Sequence, residues 1–360
     1  MRWEETWEGE TGPTLGGLLS AVAVGYRAVL ALRQTLYEWE LLKSRRLPCR
    51  VISIGNVTLG GTGKTPLVEL AVQTLRNSGV AAAIVSRGYR RRTRGTLVVA
   101  DPDRIMADHT AAGDEPFLLA RRLPGTPVVV GKNRYEAGRV CLERFRVGAL
   151  VLDDAFQHRS LQKDLEIVTL SGTAPWGNGH LFPRGPLREP LSALRRAHLV
   201  VVTGPGNAES LLAIRETLKT HNSKGEVVTA RYEPVECWEV WGRPPPGLEE
   251  LRGLPVQAFA GIARPANFVQ SLAELGVNVT GLRRFPDHHW YAPGEVEALA
   301  SEARARGARA LITTEKDAVR CLGLPPSPIP VWALAVRLIL TDEHLTWERA
   351  FRRLVGHEPD

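Results

Sequence analysis

Cysteine is scarce in this chain, and its four copies, Cys49, Cys141, Cys237 and Cys321, are scattered without any C-x-x-C spacing. That argues against a zinc site and a disulfide framework, and a reducing compartment is expected. A secretory leader is not expected either. Met1-Arg2-Trp3-Glu4-Glu5 is acidic where a leader is basic, so a cytosol-facing protein is expected. There are no internal repeats or low-complexity tracts. Nor is there an uncharged run of spanning length. Thr11 to Tyr26 carries no charge, but Arg27 ends it short of the roughly 20 apolar residues a membrane span needs.

What is present fits a folded protein of two domains: 360 residues, 44% hydrophobic and 24% charged. The formal net charge of +7 suits an anionic partner but does not choose between nucleotide, nucleic acid, lipid and acidic metabolite. Near the N-terminus, Leu15, Leu18, Leu19, Val22, Tyr26, Val29, Leu30, Leu32 and Leu36 recur close to helical spacing, with Arg27 and Arg33 among them. By pattern alone this reads as a helix packed on its own domain. The sharper alternative is a helix lying in a membrane interface.

Further along, strands and helices alternate. Strands are expected at 50–54, 81–86, 127–130, 149–152, 165–170 and 199–203, with helices at 64–77, 115–122 and 133–145. A second alternating run covers 256–314, after a proline-rich break at 234–255. This is the pattern of an α/β protein, a P-loop NTPase-like parallel sheet with helices on both faces plus a second, smaller α/β domain.

The segment Gly55-Asn56-Val57-Thr58-Leu59-Gly60-Gly61-Thr62-Gly63-Lys64-Thr65 lies between an expected strand and an expected helix. It approaches G-x-x-x-x-G-K-[ST], with Thr58 where the first glycine belongs. Such a loop points backbone N–H groups at phosphate oxygens, and the helix behind it adds a favourable dipole. Thr58, Gly60, Gly61, Thr62, Gly63, Lys64 and Thr65 are the candidate nucleotide contacts, Lys64 for the β- and γ-phosphates and Thr65 for magnesium. The apolar run ending in Asp153-Asp154 supplies candidate metal-holding acids. Gly113-Asp114-Glu115-Pro116 and Asp287-His288-His289 read, each alone, as a helix cap and a loop.

Taken together, these segments resemble the tetraacyldisaccharide 4'-kinase family. Ser86-Arg87-Gly88-Tyr89, Asp153-Asp154-Ala155-Phe156-Gln157-His158, Gly177-Asn178-Gly179, Gly185-Pro186-Leu187-Arg188-Glu189, Ala260-Gly261-Ile262-Ala263-Arg264-Pro265 and Thr314-Glu315-Lys316-Asp317 follow in family order. Thr58 is the family's habit, whereas Ala155 replaces its usual glycine. The resemblance implies ATP- and Mg2+-dependent phosphorylation of the 4'-hydroxyl of an acylated glucosamine disaccharide 1-phosphate. It also implies work at the cytoplasmic face of the bacterial inner membrane, with an anionic membrane surface as partner, no nucleic acid and no obligate protein partner. Residues 1–37 then become an interfacial helix region, 38–233 a kinase domain, 234–255 a linker and 256–360 the smaller domain, whose last helix can return to the kinase domain.

By the same match, Asp114 is the candidate base with His288 as its partner. Glu115, Asp153 and Asp154 join Thr65 as metal candidates, and Asn178, Arg188 and Glu189 are candidate substrate contacts. Two rivals remain on the sequence: a soluble small-molecule P-loop kinase, and a nucleotide-switched GTPase of the metallochaperone type. Thr314-Glu315-Lys316-Asp317 imitates a guanine-reading run for the second, but Glu315 interrupts it.

Overall fold

The structure, a computed structural model, describes residues 13–356 apart from 205, 207, 223 and 224. It opens with α1 (Pro13–Glu38). The first lobe then runs β1 (Arg50–Asn56), α2 (Lys64–Asn77), β2 (Ala82–Ser86), β3 (Leu97–Ala100), the single turn α3 (His109–Ala112) and α4 (Asp114–Arg122). It continues through β4 (Val128–Val130), α5 (Arg134–Arg144), β5 (Ala149–Asp153), β6 (Leu165–Ser171), β7 (Leu199–Thr203) and α6 (Ala208–His221). The long strand β8 (Glu226–Glu239) crosses to the second lobe. There β9 (Pro255–Ala260), α7 (Pro265–Glu274), β10 (Asn278–Arg284), α8 (Pro293–Ala305), β11 (Ala310–Thr314) and α9 (Glu315–Cys321) follow. β12 (Val331–Asp342) runs back, and α10 (His344–Val355) comes last.

These strands form one mostly parallel sheet in the order β10-β9-β11-β12-β8-β7-β6-β1-β5-β2-β4-β3. The β12–β8 and β4–β3 pairs are antiparallel. Helices cover both faces, which is why the central strands are apolar throughout rather than alternating. Ile52 and Ile54 of β1 face a core shared with Leu67, Val68 and Leu75 of α2, whereas Val51 faces one built with Ala137 and Cys141 of α5. The second lobe repeats this layering with α8 on one face and α7 on the other. α10 seats Trp347, Phe351 and Leu354 in the same core as α2. Truncating either aromatic to alanine there would cost about 3–5 kcal/mol.

Three features differ from the expectation. Residues 234–239, expected in an irregular link, are the second half of β8. The register there skips Val235, since Ala335 pairs with Glu236 and Val336 with Pro234. The proline therefore sits at a bulge, where a ladder tolerates its missing N–H. Second, Arg27 closes the uncharged run, expected to be too short for a span, but not the apolar helix. The helix runs for 26 residues and is, by length and composition alone, long and apolar enough to cross a membrane. Third, β3, α6, α9 and β12 had no counterpart in the expected pattern, whereas α10 is the last helix expected there.

α1 lies along the protein by a narrow stripe, with Leu19 and Ala23 buried. Leu15, Leu18, Val22, Val29 and Leu32 share the neighbouring face and are exposed, as are Trp39 and Leu41 just beyond it.

Candidate active site

β1 lies between β5 and β6, and its register sets Ile54 against Asp153 and Asn56 against Thr169. The glycine loop therefore emerges directly beside the acid pair, at the carboxyl ends of parallel strands where α/β sheets bind ligands. Gly63 caps α2 with a φ of 81°, a left-handed backbone that glycine adopts without cost. A β-carbon on it would stand 2.5 Å from the Tyr232 hydroxyl. Inside the loop, Asn56 Nδ2 donates to Thr62 Oγ1 at 3.1 Å, and Thr203 Oγ1 donates to the Thr62 carbonyl at 3.1 Å. Thr58 is buried and bridges antiparallel to Leu187, so the loop is braced from its outer side.

The cleft beside this loop measures about 500 Å3, and both lobes line it. Thr58, Gly60, Gly61, Thr62, Gly63, Lys64 and Thr65 form one wall with Asp153, Asp154, Glu115 and Arg188, and His288 closes from the second lobe. Lys64 Nζ stands 3.7 Å from Asp154 Oδ1, and Arg188 Nη1 stands 2.6 Å from the same oxygen. Burial raises the Asp154 pKa, but the two cations outweigh it and hold the carboxyl well below the usual range. Asp153 behaves oppositely. Burial and the nearby Glu115 and Asp154 carboxylates push it up to about 6, although Ser86 Oγ donates to its Oδ2 at 2.8 Å.

Asp153 Oδ1 and Thr65 Oγ1 are both buried without a hydrogen-bond partner. Two orphaned oxygens beside crowded carboxylates are a donor set suited to a hard divalent cation. Among the described residues no three His, Cys, Asp or Glu side chains form a ready metal cage. Magnesium seldom uses one, since it keeps waters and phosphate oxygens in its shell.

Asp114 and Glu115 open α4, where the helix N-terminus favours negative charge. Each meets the second lobe. Asp114 Oδ2 lies 2.8 Å from His288 Nδ1 and accepts from Arg320 Nε at 2.8 Å, while Lys316 Nζ pairs with Glu115 Oε1. Burial opposes ionisation of Asp114, but the His288 hydrogen bond and the Arg320 charge hold it well below the usual range. His288 and Asp154 both carry positive φ, 57° and 48°, so the backbone is strained at two of these positions. The turn after the acids takes its positive φ at Asp154 rather than at Ala155, so a side chain at 155 is tolerated.

Two expected substrate contacts are not brought into the cleft. Asn178 donates to the Arg184 carbonyl at 3.0 Å and ties up its own loop. Glu189 is buried and paired with Arg196. Sequence reasoning gave no role to Ser86, Arg134 and Arg320. Ser86 was legible as the last residue of a strand beside the acids. Arg134, buried and donating to the Asp153 carbonyl at 3.2 Å, and Arg320 pair across distances in sequence that leave no local pattern. The Thr314–Asp317 run caps a helix, Thr314 accepting from the Asp317 N–H, and Lys316 serves the acid wall.

A glycine loop closing on a lysine and threonine, with strand-end acids beside it in a mostly parallel sheet, defines a P-loop phosphotransferase. The pattern of the family described as tetraacyldisaccharide-1-P 4'-kinase matches residues 15–354. A tetraacyldisaccharide 4'-kinase of Anaeromyxobacter dehalogenans is 41% identical over 345 residues, covering 95% of this chain and 90% of that one. One of Syntrophus aciditrophicus is 37% identical over 359 residues, covering 96% of each. The crystal structure of Aquifex aeolicus LpxK in complex with ATP has a TM-score of 0.73 at 30% identity, covering 94% of this chain and 99% of that one. The chain belongs to the tetraacyldisaccharide 4'-kinase family, and neither the soluble-kinase nor the GTPase alternative is favoured.

Proposed function

We propose that this kinase transfers the γ-phosphoryl group of ATP to the 4'-hydroxyl of a tetraacylated glucosamine disaccharide 1-phosphate held at the cytoplasmic face of the inner membrane. The observation that carries this reading is one cleft lined by the phosphate loop and, from the second lobe, by His288, with Asp114 buried 2.8 Å behind the imidazole. The 4'-oxygen attacks the γ-phosphorus, the bond to the β-phosphate oxygen breaks, and the hydroxyl proton passes to the Asp114–His288 pair. An ionised aspartate is a weak base at neutral pH, and the imidazole against it gives the proton a better acceptor. The Gly60–Thr65 backbone and Lys64 hold the phosphates, and Lys64 draws charge off the β- and γ-oxygens. Magnesium, held by Thr65, Asp153, Asp154 and Glu115, would neutralise those oxygens further. Arg188 orients Asp154 and offers its charge to the incoming anion.

The exposed apolar face of α1, with Trp39 and Leu41 beyond it, supports attachment to an anionic bilayer, where the acylated substrate also resides. We take residues 38–233 and 256–360 as units that open and close about β8 and β12, with residues 1–12 of the interfacial region and 357–360 of the smaller domain outside the described part. Incubation with γ-labelled ATP and the tetraacyl disaccharide 1-phosphate tests the reading, with soluble sugars and GTP as controls. Label appearing on soluble sugars at the same rate, or GTP serving equally well, would overturn it.

A further inference from the structure

α1 is exposed along most of its length, yet two of its polar side chains reach the backbone of the catalytic loops. Tyr26 Oη donates to the Arg188 carbonyl at 2.8 Å, and Arg33 Nη2 donates to the Gln157 carbonyl at 2.9 Å. Residues 26 and 33 are seven apart, two helical turns, so both emerge from the same stripe of α1. The two loops they reach are not neighbours in sequence, and what they share is Asn56. Arg188 Nη1 donates to Asn56 Oδ1 at 3.0 Å, and Gln157 Nε2 donates to the Asn56 carbonyl at 2.9 Å. Asn56 is fully buried at the end of β1 and holds the phosphate loop from within, through Thr62 Oγ1 and the Gly60 carbonyl.

The result is a closed circuit: Tyr26, Arg188, Asn56, Gln157, Arg33 and back along α1. Without α1 its two open ends are surface loops. With α1 in place, the loop carrying Arg188 and the loop following Asp153-Asp154 are fixed relative to each other and to the phosphate loop. The edge contact between Tyr26 and Phe182, with centroids 6.3 Å apart, holds the same segment from its other side.

We propose that Tyr26 and Arg33 are positioning residues through which the seating of α1 sets the phosphate-binding loop and Arg188, so that docking on the membrane and ordering of the active site are one event. This rests on the membrane reading of α1 given above. A flexible surface loop loses freedom when its ends are tied, and that cost is met once, by α1, rather than at every catalytic cycle.

The test uses the full chain as wild type, Tyr26→Phe, Arg33→Ala, Arg33→Lys and the Tyr26→Phe/Arg33→Ala double variant. Each is assayed for co-sedimentation with phosphatidylglycerol-containing vesicles, and for kcat and the KM for ATP with substrate in detergent micelles and in those vesicles. Losing one hydrogen bond of ordinary strength should lower kcat/KM for ATP by about two- to tenfold in Tyr26→Phe and in Arg33→Ala. Vesicle binding should stay unchanged, because neither residue belongs to the exposed apolar face. Arg33→Lys, which keeps a donor, should recover part of the loss, and the double variant should be scarcely worse than the worse single one, since one break already opens the circuit. Unchanged kinetics in both single variants overturns the proposal, as does a loss of activity that merely follows loss of vesicle binding. A wild type that ignores vesicles overturns the membrane reading instead, while the micelle kinetics still report on the circuit.

Discussion

Half-buried Lys64 and buried Glu315 are two ionisable residues at the cleft whose environments lead to different expectations. The Lys64 ammonium faces Asp154 and contributes little to the core, because Asp154 keeps Arg188 at 2.6 Å without it. Lys64→Ala should lower kcat by about 100-fold or more, the scale of losing one charge-stabilising group in a preorganised site, with the melting temperature nearly unchanged. Rapid-quench turnover and thermal melting check this pair of outcomes, and near-normal turnover would sink the phosphate-loop assignment. Glu315 is pushed up to about 7 by burial, because its cation Arg122 is shared with Glu69 and Glu236. A carboxyl raised above its unfolded value of 4.5 favours the fold fully below that pH, and the benefit is lost as pH rises through about 7. Relative to Glu315→Gln, the wild type should therefore lose at most about 3 kcal/mol of stability between pH 4.5 and 8. Denaturant titrations at those pH values measure the difference, and a difference that does not change with pH would show Glu315 to be ionised throughout. At this scale the phosphate loop was legible because its chemistry lies within eleven consecutive residues. Arg320 was not, because its partner Asp114 is 206 positions away.

Among the elements, the inner strands were legible within a residue or two, since a run such as Ala149–Leu152 has little alternative to burial between two layers of helix. β8 and β12 were harder. They are long, only partly buried and antiparallel in an otherwise parallel setting, and the bulge at Pro234 interrupts the period by which a strand is recognised. α1 was legible as a helix but not by its face, because apolar residues occupy both its packed stripe and its open one. The two faces separate the readings experimentally. Glutamate at Leu18 and Val29, 64% and 63% exposed, removes apolar surface that lies mostly open. Binding to anionic vesicles should then fall by about 1.5–3 kcal/mol per site while the melting temperature stays put. If the double variant melts earlier instead, that face is covered by protein and the interfacial reading of α1 fails.

For the whole molecule, one sheet runs through both lobes, so the lobes are joined at the back by β8 and β12 and meet at the front through side chains and loop carbonyls. Those front contacts are mostly polar. Asp114 meets His288 and Arg320, Glu115 meets Lys316, and the Arg90 guanidinium donates to the His288 carbonyl at 2.9 Å. Contacts of this kind form and break with little apolar surface exposed, which suits lobes that close over a substrate and reopen. Separation of the lobes would break the Asp114–His288 pair, and the hydrogen bonds of both side chains lie outside the phosphate loop that would secure ATP. Asp114→Ala and His288→Ala should each lower kcat by about 100-fold or more while leaving ATP affinity within a few-fold of wild type. Because one proton passes through both, the double variant should be scarcely slower than the slower single one. Arg320 would lose one of its partners in Asp114→Ala, keeping Asp317 and the Gly261 carbonyl, so Asp114→Asn, which keeps the shape and a hydrogen-bond acceptor, separates loss of the base from loss of the contact. Pre-steady-state phosphoryl transfer on the four variants decides the matter: losses that multiply in the double variant would mean two independent roles, and a wild-type rate in His288→Ala would leave the histidine a strained loop residue and nothing more.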